Sequence, residues 1–267
     1  MRLRYHIVMF AEQRRLKIVE LIQEEGSARV SDLARIFSVT EQTIRHDLDK
    51  LESEGLIAKE HGGAFLKSVP NQVKSFALHH MENMDRKIAI AKTAFQLVED
   101  RESLILDSGS TVSELAKLLT EKHNLTVVTN ALNIALLLGA VMGNEILVTG
   151  GEFKPPTLSL TGEKAAGFFQ HIHASKLFLA TGGISANGEL TYPGLNDIIV
   201  KRAMVESANK VYLLADSTKF GKTSLAILGD IELVDYIVTD SFITNEQREF
   251  CEKRGIQVII AEIRTNS

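Results

Sequence analysis

The spacing of hydrophobic positions changes near residue 67. Before that point apolar residues recur at helical intervals in three short blocks. Residues 13–24 set Leu16, Val19 and Ile22, with Ile18 and Leu21 beside them, on one face of a first helix that Gly26 ends. Ser31 precedes a second block, 32–37, in which Leu33, Ile36 and Phe37 repeat at the three-and-four spacing. Ser38 and Val39 make a tight turn. Thr40 then suits the N-cap of a third helix, with Glu41 in its first turn, Ile44, Leu48 and Leu51 as its inner stripe, and Gly55 as its stop. Residues 56–58 and 64–66 are short strand candidates around the turn-like Glu60-His61-Gly62-Gly63. A linker is expected over 68–83, so the small domain occupies 11–67 and a larger one 84–267.

In the larger segment a helix is expected over 84–98. From Ser103 on, the rhythm is strand, turn, helix. The apolar run 104–106 leads to Asp107-Ser108-Gly109-Ser110-Thr111, and 125–128 leads to Thr129-Asn130. Run 146–148 ends at Gly150-Gly151, and 177–179 ends at Thr181-Gly182-Gly183. A helix at 197–207 precedes 211–214 and Asp216-Ser217-Thr218-Lys219, and 236–238 and 258–260 flank a last helix. Continuous apolar runs alternating with amphipathic helices predict a mostly parallel sheet covered on both faces. The expected architecture is therefore α/β overall: a winged helix-turn-helix followed by a Rossmann-like α/β domain.

At about 100° per residue, the third helix turns Gln42, Arg45, His46, Asp49 and Ser53 away from its inner stripe. Arg pairs bidentately with guanine and Gln with adenine in the major groove. Thr40 and Thr43, with Ser31 and the free N–H groups of a helix start, suit a phosphate. Lys50, Lys59 and His61 flank that face as candidate backbone contacts, and Gly62 lets the hairpin approach a groove. Two helices joined by so short a turn, followed by a glycine-tipped hairpin, point to DNA rather than to a merely solvated polar face.

Charge and composition narrow the rest. The net charge of −4 at pH 7 argues against a general polyanion binder but not against a local patch that reads DNA. One cysteine in 267 residues, Cys251 in a polar helix, excludes an internal disulfide and a thiolate zinc site. His171 and His173 lack further ligands nearby in sequence, so no metal or cofactor is expected. No apolar run reaches the length of a membrane span, and residues 1–10 are too short for a secretory signal, so a cytoplasmic location without membrane partners is expected.

The polar strand exits carry the second candidate site. Ligands of open α/β sheets collect at the carboxyl ends of strands. Ser108, Gly109, Ser110 and Thr111 form a candidate phosphate cradle at a helix start. Thr129, Asn130, Gly150, Gly151, Gly182 and Gly183 stand at neighbouring exits. Asp107, Asn130 and Asp216 suit hydroxyl groups, and Lys201 and Lys219 are candidate cations for the phosphate.

Several separated blocks then carry a resemblance. Val30-Ser31-Asp32-Leu33-Ala34, Val39 through Leu48, Leu51-Glu52 with Gly55-Leu56-Ile57, and His61-Gly62-Gly63-Ala64 resemble the DeoR family of sugar-metabolism regulators. So do Leu106–Thr111, Val127–Asn130, Val148–Gly151, Gly188–Thr191, Lys201–Met204 and Leu214–Gly221 in the larger domain. His46 departs from the family's usual Arg, Ser175 from a frequent Asp, and His79 from a frequent Arg. The resemblance implies a sensor domain similar in fold to ribose-5-phosphate isomerase. It also implies a repressor of a carbohydrate operon, relieved by a phosphorylated sugar or similar metabolite. Because one recognition helix reads too few base pairs for an operator, a homo-oligomer, dimer or tetramer, on double-stranded operator DNA is expected. The competing reading is a sugar-phosphate isomerase-like enzyme fused to a DNA-binding module. Asp107, Asp216 and Lys201 would supply its acid and base groups, but fold likeness alone does not carry activity.

Overall fold

The computed structural model describes residues 11–25, 27–60, 62–66 and 82–263. His61, His79, residues 1–10 and most of the expected linker lie outside them. The chain divides into two compact units at Glu82/Asn83.

In the first unit the helices are α1 (Ala11–Glu25), α2 (Val30–Phe37) and α3 (Glu41–Ser53). Ile18, Ile22, Leu33, Ile44, Leu48, Leu51 and Ile57 close a small core between them. Two expected core positions are corrected. Leu16 is 66 % and Ile36 59 % exposed. Each helix buries only the part of its apolar stripe that meets the other two helices, and these residues lie at its rim. A strand absent from the sequence reading, β1 (Ser27–Arg29), pairs antiparallel with β3 (Gly63–Leu66), which also pairs with β2 (Ile57–Glu60). The wing is thus the far end of a three-stranded sheet, and Val30 N–H donates to Gly62 O at 3.0 Å. Gly62 has φ +84°, a conformation that glycine adopts without strain.

The second unit is built on a seven-stranded sheet. Its strands are β4 (Ser103–Leu106), β5 (Thr126–Thr129), β6 (Glu145–Val148), β9 (Ala174–Ala180), β12 (Ala208–Leu214), β14 (Tyr236–Asp240) and β15 (Gln257–Ala261). Their order is β15-β14-β12-β9-β4-β5-β6, and every pairing is parallel. The order in which strands are added reverses between β4 and β9, the topological switch point. Alternation along β4 serves two cores: Leu104 and Leu106 face one, Ile105 the other. The first core is covered by α4 (Met84–Phe95), α5 (Ser110–Leu119) and α6 (Leu132–Gly139). The second is covered by α7 (Glu163–Gly167), α8 (Leu195–Glu206) and α9 (Asn245–Glu252). Cys251 belongs to this core, fully buried, and burial pushes its thiol up to about 11. The polar letters around it mask a single inward position on a short helix.

Two additions were illegible in the sequence. A hairpin of β7 (Glu152–Lys154) and β8 (Ser159–Thr161) lies beside the β5 exit, where Leu160 N–H donates to Asn130 O at 2.8 Å. A small antiparallel sheet joins β10 (Gly183–Ile184), β11 (Glu189–Tyr192) and β13 (Ala226–Asp230). Among the described residues no helix is long and apolar enough to cross a membrane.

Candidate nucleic-acid interface and effector site

Helix α3 starts where the sequence predicts. The Thr40 hydroxyl accepts from Thr43 N–H at 3.2 Å and lies 2.9 Å from the Thr43 hydroxyl. This cap supplies roughly 1 kcal/mol, and both hydroxyls stay near the surface at the helix start. Ser31, Gln42, Arg45, His46 and Lys50 are exposed, opposite the buried Ile44, Leu48 and Leu51. The exposed side chains belong to one helix face plus the start of α2, as a reading head requires. Asp47, unremarked in the sequence, anchors that head from behind. Its buried carboxylate meets Arg14 Nε at 2.5 Å and Arg15 at 3.5 Å, joining α1 to α3.

Three of the expected cations are already paired, among them Lys50, whose Nζ stands 3.7 Å from Glu54. Arg45 meets Glu41 at 2.8 Å, one turn back on α3. Lys59 bonds Asp49 and also meets Glu52 at 3.1 Å. Asp49 and then Glu52 hold the Lys59 ammonium above its usual range, and Lys59 holds the Glu52 carboxyl below its own. A concavity of about 360 Å³ between helix and hairpin is lined by Arg45, Asp49, Lys59, Gly62 and Gly63. DNA phosphates there would exchange these carboxylates for phosphate oxygens.

In the second unit, all the expected exits lie at one edge of the sheet. Asp107 follows β4 at the switch point, wholly buried. Its Oδ1 and Oδ2 stand 2.6 and 2.5 Å from Lys201 Nζ, and Oδ2 also accepts from Ala180 N–H at 3.0 Å. Burial raises the Asp107 carboxyl above its usual range, against the opposing pull of Lys201. Lys201 lies 4.7 Å over the Tyr192 ring, and the Tyr192 hydroxyl donates to Ala180 O at 2.8 Å. Lys201 was read as a cation for phosphate and Asp107 as a hydroxyl acceptor, yet in this structure each neutralises the other beneath the site. Their separation of 94 residues hid the pairing.

Ser108, Gly109 and Ser110 are partly exposed at the start of α5, and Thr111 is buried. The first-turn N–H groups of a helix have no intrahelical partner and favour anions. At Gly109 a Cβ would stand 2.4 Å from the Ala180 Cβ, so this residue lets the loop approach β9. At Gly182 and Gly183, read as ligand positions, the backbone is closely packed: a Cβ on them would meet Thr191 O at 2.8 Å and Lys222 O at 2.4 Å. Gly150 and Gly151 are exposed beyond β6. Thr129 is spent internally, its hydroxyl donating to Leu106 O at 2.7 Å.

Three buried polar atoms at this edge have no hydrogen-bond partner among the described residues: Asn130 Oδ1, Thr149 Oγ1 and Asp216 Oδ2. Native proteins pair nearly all such groups, so an edge that concentrates three fits a ligand surface. Lys219 is half-buried on the turn after Asp216. That turn is fixed from below. Ser217 donates through N–H and hydroxyl to Asp240 at 2.8 and 2.9 Å, and Arg86 reaches Ser217 at 2.6 Å and Asp240 at 3.6 Å. Asn83 Nδ2 donates to the Thr218 hydroxyl at 3.2 Å. This tether, invisible in local sequence, joins the start of α4 to residues some 130 positions on.

Comparison with known proteins agrees with this division. Residues 14–69 match the model of the DeoR-like helix-turn-helix domain, and residues 82–241 that of the DeoR C terminal sensor domain. The HTH-type transcriptional regulator GolR of Listeria innocua is 34 % identical over 95 % of this chain and 100 % of its own. The transcriptional repressor AccR of Agrobacterium fabrum is 34 % identical over 86 % of this chain and 90 % of its own. The glycerol-3-phosphate regulon repressor of Escherichia coli strain K12 is 31 % identical over the same shares, 86 % and 90 %. A ribose-5-phosphate isomerase solved with phospho-erythronic acid aligns at 18 % identity and a TM-score of 0.38, covering 50 % of this chain and 52 % of its own. With both of its domains and nearly its whole length matched, the chain belongs to the DeoR family of DNA-binding transcriptional regulators.

Proposed function

We propose that this protein represses a carbohydrate-utilisation operon and releases its operator when a phosphorylated sugar or related metabolite binds at the carboxyl edge of the seven-stranded sheet. The observation that carries the reading is the edge itself. An anion-favouring helix start at Ser108–Thr111 shares it with buried acceptors left without partners at Asn130 and Asp216. Phosphate suits the first and sugar hydroxyls the second. Binding of this kind shifts DNA affinity only if the two protein states hold the ligand unequally, and a coupling of about 1–3 kcal/mol is the usual size. A symmetric homo-oligomer in the cytoplasm, placing two α3 helices on spaced half-sites, completes the proposal.

The test is a gel shift on the DNA upstream of the gene, with sugar phosphates and the corresponding free sugars. The expected result is a shift relieved by one or more phosphorylated compounds and not by their free sugars. A complex that ignores every phosphorylated compound, or that responds equally to free sugars, would overturn the effector assignment.

A further inference from the structure

Resting on the effector reading above, we infer that Asp216 is the specificity-determining residue of the site. It selects phosphorylated polyols and sugars long enough to reach it from the cradle. Asp216 lies two residues beyond the end of β12, and the cradle follows β4. In the sheet order β12-β9-β4, both stand at the same edge with one strand between them. Two strand spacings amount to roughly 10 Å. With carbon–carbon bonds of about 1.5 Å, a phosphorylated chain of five or six carbons bridges that gap, whereas a three-carbon one falls short.

The chemistry at the far end is equally directed. Asp216 is 1 % exposed. One carboxylate oxygen is committed: Oδ1 accepts from Thr218 N–H at 3.1 Å and from the Thr218 hydroxyl. The other, Oδ2, has no partner among the described residues. An enclosed carboxylate oxygen accepts a hydroxyl hydrogen strongly and rejects a second anion. The residue therefore reads a hydroxyl and keeps phosphate at the other end. Oδ2 is enclosed, so a hydroxyl gains it only when its surroundings open, and Asp216 itself caps the Ser217–Lys219 turn. That turn is bonded to Asn83 and Arg86 at the start of α4, so occupancy is felt where the chain enters this unit.

Calorimetry on the full chain tests the inference with inorganic phosphate, glycerol 3-phosphate, a pentose 5-phosphate and a hexose 6-phosphate. The wild type is expected to bind one or both of the longer phosphates at least tenfold more tightly than glycerol 3-phosphate. Asp216→Asn keeps a capping oxygen for Thr218 and puts a donor at the second position. It is expected to abolish that advantage while leaving inorganic phosphate and glycerol 3-phosphate unchanged. Deleting the hydroxyl farthest from the phosphate on the better ligand should cost the wild type the same factor and cost Asp216→Asn nothing. This analogue comparison keeps the wild type informative if the variant unfolds. No length preference in the wild type, or a preference that survives in Asp216→Asn, would overturn the assignment of Asp216. Failure of every phosphorylated probe to bind the wild type would instead remove the effector reading, and this inference with it.

Discussion

At the scale of single residues, the strongest constraint is the Asp107–Lys201 pair. Its side chains are 0 % and 7 % exposed, so each charge depends on the other. Removing one partner leaves an uncompensated buried charge, which typically costs 3–5 kcal/mol, whereas apolar replacement of both can be neutral. Lys201→Met is therefore expected to lower unfolding stability by about that amount, and Asp107→Leu with Lys201→Met to recover much of it. Urea unfolding of the two variants provides the check, and a Lys201→Met loss below about 1 kcal/mol would contradict a buried, paired Lys201. The sequence marked both residues as functional candidates because of their neighbours, DSGST and KRAM. It did not reveal that they meet, since pairing between the end of β4 and the middle of α8 leaves no trace in local spacing. Asp47 and Asp240 were missed for the same reason: an inward carboxylate is spelled like a surface one, and its basic partner lies 32 or more residues away.

At the scale of elements, α3 is the helix proposed to read DNA. Its legibility was high because one helix turn repeats apolar residues against a polar face. The strands were legible as apolar runs, whereas β1, the β7–β8 hairpin and the β10–β11–β13 sheet are short and gave no periodic signal. On α3, Arg45→Ala is expected to cost about 1–3 kcal/mol of operator binding, with base preference relaxed at one position of each half-site. Equal losses on operator and random DNA, measured by anisotropy, would exclude base reading. Glu41→Gln is expected to act oppositely on random DNA, because it frees Arg45 from a 2.8 Å ion pair and removes a negative charge from the approach of phosphates. A protein that gained no affinity for random DNA would show that the pair is spectator surface. The Lys59–Glu52 contact adds a pH sign. Glu52 titrates below the ordinary glutamate range and Lys59 above the ordinary lysine range. The pair is thus fully charged at neutrality. Glu52's contribution, present above the ordinary glutamate range, is lost as pH falls through its lowered value. Lys59's contribution, present below the ordinary lysine range, is lost as pH rises through its raised one.

At the scale of the whole molecule, the questions are how many reading heads act together and how the ligand reaches them. A single α3 contacts only a few base pairs, so tight operator binding calls for a symmetric pair. Light scattering at micromolar concentration is expected to give a dimer or tetramer, and a monomer that still binds its operator tightly would refute this. Division into a reading unit and a sensing unit was plain in the sequence, since the hydrophobic period changes between them. The contacts of Asn83 and Arg86 at the start of the sensing unit were not plain, because they join positions about 130 residues apart.

The strand order has one more consequence. Helix α4, with which the sensing unit begins, packs on β14 and β15, and β15 is its last strand and one outer edge of the sheet. The first and last elements of the unit are therefore neighbours, while β6 forms the opposite edge. Closeness of first and last elements is what makes circular permutation tolerable. A short connection from the end of β15 to the start of α4, with new termini cut in the exposed turn around Met142, would leave the sheet and its carboxyl edge unaltered. Such a permuted sensing unit would turn the edge into a portable reporter, with attached labels emerging beside β6 instead of beside α4.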